Sequence, residues 1–552
     1  MKKESKKLTP PLEGKKALVI DDMGAAVVIG KNMLMNLGAA HVDIASDYQI
    51  AFSRIAQKRY DLILCDFNLG IGLNGQQLLR DLRHINRLSY TTLFIVVSGE
   101  RTHDIVLGTI ECEPDGYIAK PFTQGDFKHR IIKLVEQQEL FLEFNQAQDD
   151  RQYDQAVKIA KQIMIHHPRM RSLALRKTAN MLYEQKRYAE ARDLFERALV
   201  LREEQIWAQI GRARCMAEMG ELDEAIESFQ AIISKNQLAV PAMDSLAICY
   251  ERKKQKREAL DMLLQSAALS PMSLDRQRWL SGLSMDVGEI NISVKACKMI
   301  LKLAEGTLKE SPEQHDLYAR TLRKAVAYTQ DLKKKAELIE EGRTHLKTAL
   351  KKYEENPEAR EYLKFNEAMF RSLEKFEQGN DEESIAIIDA AVIRHRDLLK
   401  QDPMLNIDVA EAKLYADDRA GAEQLLREVM KKYPEQKELL EKIHSIIDSP
   451  IPFHQRIIIS ELNRKGRSEY DAGLYEEALA SFRKALEIYP MHPAINLNAV
   501  QVMLKMIDAG QRTPNAYREA KQYLDASVAL EPEHPEYERK EAFKRFLNKK
   551  TA

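Results

Sequence analysis

Five side chains in the first part of the chain have the types and spacing needed for phosphorus chemistry. Asp21 and Asp22 follow the apolar run Ala17-Leu18-Val19-Ile20. Asp66 closes the run Leu62-Ile63-Leu64-Cys65, Ser98 follows Leu93–Val97, and Lys120 follows Tyr117–Ala119. Three carboxylates gathered from two places in the chain would repel strongly without a cation among them. An oxygen-only donor set with no His or Cys suits Mg²⁺, which keeps several waters and takes a phosphate oxygen as a further ligand. A carboxylate beside such an ion can attack phosphorus and form an acyl phosphate. A lysine supplies a point charge for the phosphoryl group, and a serine hydroxyl can donate to one of its oxygens. The set amounts to a phosphoryl-accepting aspartate with its cradle.

The elements that must position these residues are short and alternate in type. Candidate strands are 17–20, 42–45, 62–65, 93–97 and 117–119, with amphipathic stretches at about 24–37, 49–58, 75–87, 103–110 and 124–139. Strand and helix alternating five times is the pattern of a parallel α/β sheet with helices on both faces. In such sheets the functional crevice lies outside the carboxyl ends of the strands, where these five residues fall. Met23 and the apolar Val27, Val28 and Met33 are core candidates of the first helix.

The strings VIDD (19–22), LILCDFNLG (62–70), FIVVSGE (94–100) and GYIAKPF (116–122), in this order and at these intervals, resemble the response-regulator receiver domain of two-component signalling. The resemblance covers about a fifth of the chain. It implies a five-stranded parallel, flavodoxin-like fold. It also implies that Asp66 is the phospho-acceptor, and that Asp21, Asp22, Asp66 and the backbone carbonyl of Asn68 hold Mg²⁺. Ser98 then fills the hydroxyl switch position, Tyr117 is the aromatic switch, Lys120 binds the phosphoryl group, and the Lys120–Pro121 peptide is cis. Asn68 and Glu100 would tune how fast the acyl phosphate hydrolyses. The implied partner is a histidine kinase, and a bacterial source follows from the family association alone.

Beyond position 150 the β pattern gives way to helical periodicity for the rest of the chain, and much of it carries an internal repeat. Ala179, Ala213 and Ala247 are equally spaced, as are Ala191, Ala225 and Ala259, and both sets share one step. Phe195, Phe229 and Leu263 each stand one helical turn after a member of the second set. Small residues at these places let antiparallel helices approach closely, and the large one fills the groove to the next hairpin. A helix–turn–helix of this kind, recurring every ~34 residues, resembles the tetratricopeptide repeat (TPR). The best copy carries Gly466, Gly473, Tyr475, Ala478, Phe482, Ala485 and Pro490. Weaker ones centre on Ala156, Ser293, Ser384, Ala422 and Ala520, with an insertion expected around 507–514. No register holds between about 300 and 375, where long helices such as 336–355 are expected. SPIPF (449–453) reads as a break between sub-arrays. A coiled coil would not place small residues in so long a register.

The expected organisation is a mobile basic tail (1–14), the receiver (15–136), a helical linker (137–150), an N-terminal TPR sub-array (151–305), degenerate helical repeats (306–450) and a C-terminal TPR sub-array with a capping helix (451–552). The linker is mostly helix-forming, so the last receiver helix is expected to run on into the array. Lys plus Arg and Asp plus Glu both number 84, which disfavours a nucleic-acid binder of the basic-surface type. The lysines of MKKESKKLTPPLEGKK precede no apolar signal core, and no run reaches the roughly 18 apolar residues of a membrane helix. Five cysteines without CxxC spacing point to a reducing compartment, and the expected location is the cytoplasm. His166-His167 falls in a turn just before Pro168, His395, His444 and His454 are scattered without ligand spacing, and no Walker, GxGxxG, HExxH or paired-cysteine pattern marks a conventional enzyme domain.

TPR arrays take extended or helical peptides on their concave surface. The expected function is therefore a response regulator whose phosphorylation modulates protein–protein contacts, through a peptide or protein in the TPR groove or through a homodimer. Two other readings fit the same sequence: a constitutive TPR scaffold docked to a kinase, and a phosphate sink that drains one.

Overall fold

The computed structural model describes residues 10–69, 74–85, 87–99, 114–307, 309–329, 331–511, 516–527, 530, 534 and 536–551. Two compact units divide the chain: Met1–Asp286 with Lys295–Ser311, and Val287–Val294 with Pro312–Ala552. The division falls at neither 305 nor 450.

The first unit opens with five strands, β1 (Lys16–Ile20), β2 (His41–Ala45), β3 (Leu62–Asp66), β4 (Leu93–Ser98) and β5 (Gly116–Ala119). They form one parallel sheet in the order β2-β1-β3-β4-β5. Helices α1 (Gly24–Asn36), α2 (Tyr48–Gln57), α3 (Gly75–His84) and α4 (Gln124–Leu140) cover it. Because successive strand residues point to opposite faces, each strand feeds two cores. Ala17, Val19, Leu62, Leu64, Ile95 and Val97 pack with α1 and α4, through Leu34, Phe127 and Ile131. Leu18, Ile20, Ile63, Cys65, Phe94 and Val96 pack with α2 and α3, through Tyr48, Ala51, Leu78 and Leu82. Strands buried on both faces read as continuous apolar runs, as they do here. Only one stripe of α1 meets the sheet, so Val27 is buried and Met33 half-buried while Met23 and Val28 are exposed, against their expected place in the core. The stretch 103–110 and Glu100 lie outside the described residues.

α4 does not run on into the array as one helix. It closes at Phe141, whose N–H donates to Gln137 O, and α5 (Leu142–Asp149) starts on the next residue. The cause is burial. Phe141 and Phe144 meet edge to face, with centroids 6.0 Å apart, inside a core shared with Ala156, Ala160, Leu175 and Phe195.

Helix pairs follow: α6 (Tyr153–His166), α7 (Arg171–Glu184), α8 (Tyr188–Leu201), α9 (Ile206–Glu218), α10 (Leu222–Lys235), α11 (Val240–Arg252), α12 (Lys256–Leu269), α13 (Leu274–Asp286) and α14 (Ile290–Ala304). The start points of α8, α10, α12 and α14 keep the constant step of the buried alanines. The turns that precede them share one backbone device. Lys186, Gly220, Lys254 and Gly288, spaced by that same step, have φ of 59°, 92°, 61° and 83°. At Gly220 the next N–H, that of Glu221, reaches back to Met216 O at 3.0 Å; Arg187 does the same to Leu182 O and Gln255 to Tyr250 O. This 6→1 bond caps the preceding helix with a left-handed residue. Glycine adopts that conformation freely, whereas lysine does so at a cost of about 1–2 kcal/mol.

Ala179, Ala191, Ala213, Ala225, Ala247 and Ala259 are fully buried between these helices, with Phe195 and Phe229 beside them. A Cβ placed on Gly211 would sit 2.3 Å from the Phe195 ring. In the second unit a Cβ on Gly466 would lie 2.6 Å from Phe482, and Ala478, Phe482 and Ala485 are buried. Helices of that unit outgrow those of the first array: Pro312–Tyr328, Leu332–Lys352 and Pro357–Glu377 span 17, 21 and 21 residues. A repeat built from such helices is too long for the constant step, and the register of small residues is lost there. Pro452 stands at the N-cap of the helix Phe453–Asp471 within this unit, and Pro493–Asp508 is followed by Gly510 at φ 71°.

Gly211→Ala is expected to lower the stability of the first unit by about 1–3 kcal/mol through overpacking against Phe195. Lys254→Gly should raise it by up to about 1 kcal/mol by relieving the left-handed residue. Urea unfolding followed by helix signal checks both, and opposite signs for the two variants are the expected result.

Candidate functional site

The carboxyl edge of the sheet gathers its side chains because β1 and β3 are neighbours in register, with Ile20 beside Cys65. The residues that leave those strands, Asp21, Asp22 and Asp66, have carboxylate oxygens within 4.8 Å of one another. Asp21 is buried, Asp66 half-buried and Asp22 exposed. From β5, on the other side of β4, Lys120 reaches across. Its Nζ lies 2.6 Å from Asp66 Oδ1 and 3.0 Å from Asp21 Oδ2. Lys120 is held by its own N–H, which donates to Ser98 O at 2.6 Å, and the Lys120–Pro121 peptide is cis.

Backbone donors complete the acidic cluster. Met23 N–H donates to Asp21 Oδ1 at 2.9 Å, and Asn68 N–H to Asp66 Oδ2 at 2.9 Å. Ser98 is buried at the end of β4, and Tyr117 is half-buried against the core that also holds Leu78 and Phe94. Asn68 is exposed and bridges to Asn74, the residue that caps α3. Asp21, Asp22, Asp66, Asn68, Ser98 and Lys120 thus meet at one edge, whereas Tyr117 lies within β5, beside Val96 and away from the carboxylates.

The electrostatics follow from this packing. Burial pushes the Asp66 carboxyl above its ordinary value, the Lys120 ammonium pulls it back, and the Asp21 charge pushes it up again. Burial works against the Lys120 ammonium, yet its bonds to Asp66 and Asp21 outweigh that and raise it. The net rise at Asp66 means that its ionised form is short of compensating charge with Lys120 alone. An all-oxygen set of three carboxylates in that condition fits a hard divalent cation. Cys65, directly beneath, is fully buried, and its thiol is pushed up by burial and then by the charges of Asp66 and Asp21, so it is a packing group and not a nucleophile.

Sequence reasoning passed over Gly75 and Gln77. A Cβ on Gly75 would sit 2.5 Å from Asp66 O and 2.8 Å from Cys65 Sγ, so α3 starts in direct contact with the acceptor's main chain. Asn74 and Gln77 form a reciprocal capping box, Gln77 N–H to Asn74 Oδ1 at 2.8 Å and Asn74 N–H to Gln77 Oε1 at 3.1 Å. The Asn-x-x-Gln spacing was the available signal.

The response regulator receiver domain family matches residues 17–132, and tetratricopeptide repeat families match 141–206, 182–247 and 462–492. The chemotaxis protein CheY of Pseudomonas aeruginosa is 31% identical over 121 residues, which are 22% of this chain and 96% of that protein. Chemotaxis protein CheY-3 of Vibrio cholerae is 27% identical over 121 residues, 22% of this chain and 92% of its own. Among solved structures, a CheY-like receiver domain from Methanospirillum hungatei JF-1 is 25% identical with a TM-score of 0.21, covering 23% of this chain and 96% of that one. Fold, edge chemistry and sequence agree on the class: a signalling receiver joined to a helical repeat array. Through its N-terminal segment the chain belongs to the response regulator receiver family, and tetratricopeptide repeats follow. Two-component response regulation and protein–protein interaction are the activities these modules imply. Among the described residues no helix is long and apolar enough to cross a membrane.

Asp66→Asn is expected to raise the thermal midpoint of the metal-free protein at pH 7. A carboxyl raised in the fold contributes stability below its unfolded pKa and loses it as pH rises through the folded value. The wild type at pH 7 therefore carries a burden that asparagine lacks. The difference should vanish below about pH 3, where both folded and unfolded Asp66 are protonated. Melting curves in chelator across that range check the sign.

Proposed function

We propose that Asp66 accepts a phosphoryl group from a histidine kinase and that the modification modulates the protein contacts of the TPR array. The observation that carries this reading is the placement of Lys120 Nζ 2.6 Å from Asp66 Oδ1 within the three-carboxylate cluster. An Asp66 carboxylate oxygen attacks the phosphorus of phosphohistidine. The new O–P bond forms as the P–N bond breaks, and the electron pair leaves with the imidazole nitrogen, which takes up a proton. Asp21, Asp22, Asp66 and the Asn68 carbonyl would hold Mg²⁺, which when bound would supply the charge neutralisation that Lys120 alone leaves incomplete. Lys120 pairs with a phosphoryl oxygen, and the Ser98 hydroxyl donates to another. Hydrolysis reverses the mark: water attacks phosphorus, phosphate leaves and the Asp66 carboxylate is regenerated.

Ser98 and Tyr117 are the switch positions of this reading, with Asn68 and Glu100 setting the lifetime of the mark. The array then offers its concave face to a peptide or protein, or to a second copy of the chain. The cytoplasm, where a kinase can reach Asp66, is the expected location.

Incubation with acetyl phosphate and Mg²⁺ should label the full chain with one alkali-labile phosphoryl group. Asp66→Asn or chelation should abolish the label. Labelling of Asp66→Asn equal to wild type would sink the reading. A pull-down in which partners are the same with and without beryllofluoride would sink the switch while leaving the acceptor intact.

A further inference from the structure

The last carbonyls of a helix have no partner inside it. At the end of α14 the receiver supplies one. Leu303 O accepts from Gln77 Nε2 of α3 at 3.1 Å, and one turn later Gly306 O accepts from Gln49 Nε2 of α2. The turn itself is tied by Thr307 Oγ1, which donates to Ala304 O at 2.7 Å and accepts from Lys309 N–H at 3.1 Å. Lys309 then turns back to the receiver, with Nζ 3.3 Å from Asp81 Oδ1, while Asp81 Oδ2 accepts from Tyr48 OH at 2.5 Å. Arg80 Nη1 donates at 3.3 Å to Oγ of Ser273, the residue before α13. Gln77 and Asp81 are buried, at 7% and 4% exposure, so this is a packed contact and not a rim of surface pairs.

Gln77 faces two ways. Its Oε1 and N–H close the capping box with Asn74, Asn74 bridges to Asn68, and Asn68 N–H holds Asp66 Oδ2. Its Nε2 holds the array. Gly75 fits against Asp66 O with no room for one more carbon, so a displacement at the end of β3 passes to the start of α3 without slack.

Resting on the reading of Asp66 as the phospho-acceptor, we propose that the receiver signals to the array through α3. Gln77 is the positioning residue that couples the two, the turn 303–307 with Lys309 is the receiving element, and modification of Asp66 loosens that turn. A hydrogen bond tolerates only a few tenths of an ångström before it weakens, so a small shift of α3 releases the Leu303 carbonyl.

Hydrogen exchange on the full chain, with and without Mg²⁺ and beryllofluoride, tests this. Beryllofluoride should slow exchange around 66–69 and speed it about fivefold or more across 303–309, the factor for one net hydrogen bond. Gln77→Glu keeps the acceptor for Asn74 N–H but removes the donor to Leu303 O. In that variant 303–309 should exchange fast from the start and stop responding, while 66–69 still responds. Lys309→Met, on the array side, should shrink the response in the same way. A response at 66–69 with none at 303–309, or a Gln77→Glu variant that responds like wild type, overturns the coupling alone. No response at either place overturns the acceptor reading and the coupling with it.

Discussion

A single ammonium group placed among carboxylates governs the edge of the sheet. Two unit charges less than about 5 Å apart repel by at least about 3 kcal/mol at an effective dielectric of about 20, and Asp21, Asp22 and Asp66 lie within 4.8 Å. Lys120 offsets part of that repulsion by bonding both Asp21 and Asp66. The loops that bring these groups together are set by the sheet order, because the parallel pairing of β1 with β3 places their carboxyl ends side by side. The residual imbalance at Asp66 leaves the site favourable to added positive charge.

The helical half obeys a different constraint, that of close approach. Equally spaced buried alanines and a left-handed turn at 186, 220, 254 and 288 repeat one geometry until the helices lengthen. Where Pro312–Tyr328 and its successors take over, buried polar groups join small residues such as Ala319, Ala349 and Ala359 in the interior. Asn366 donates to Asp316, and Arg320 Nε lies 2.6 Å from Asp408 Oδ2 in the interior of the second unit. Burying such charges is tolerable only because each has a partner of opposite sign.

Much of the receiver was legible because its signals are local. Strands buried on both faces announce themselves as apolar runs, and each reading fell within a residue or so of β1 to β5. The acidic edge was legible because strand ends in this topology share a crevice, so Asp21, Asp22, Asp66, Ser98 and Lys120 needed only their order and spacing. The period of the array was legible from alanines alone. What could not be read was the partnering of distant groups. Gln77 and Leu303 are 226 residues apart, and nothing in the pattern around either residue points to the other. The break at Phe141 was missed for a related reason: the local sequence favours helix, and a tertiary pull on two phenylalanines ends it.

That same Phe141 has a meaning for how such chains are assembled. It terminates the receiver's last helix, yet its ring belongs to the core that Ala156, Leu175 and Phe195 complete, with the Lys177 ammonium 5.8 Å from its face. The two folds therefore do not meet at a neutral hinge; they hold one aromatic ring in common. A different receiver grafted upstream of the repeats would have to carry a large apolar side chain at this place. Recombination between such chains would accordingly be filtered by steric fit at a single residue, and not only by the length of whatever joins the modules.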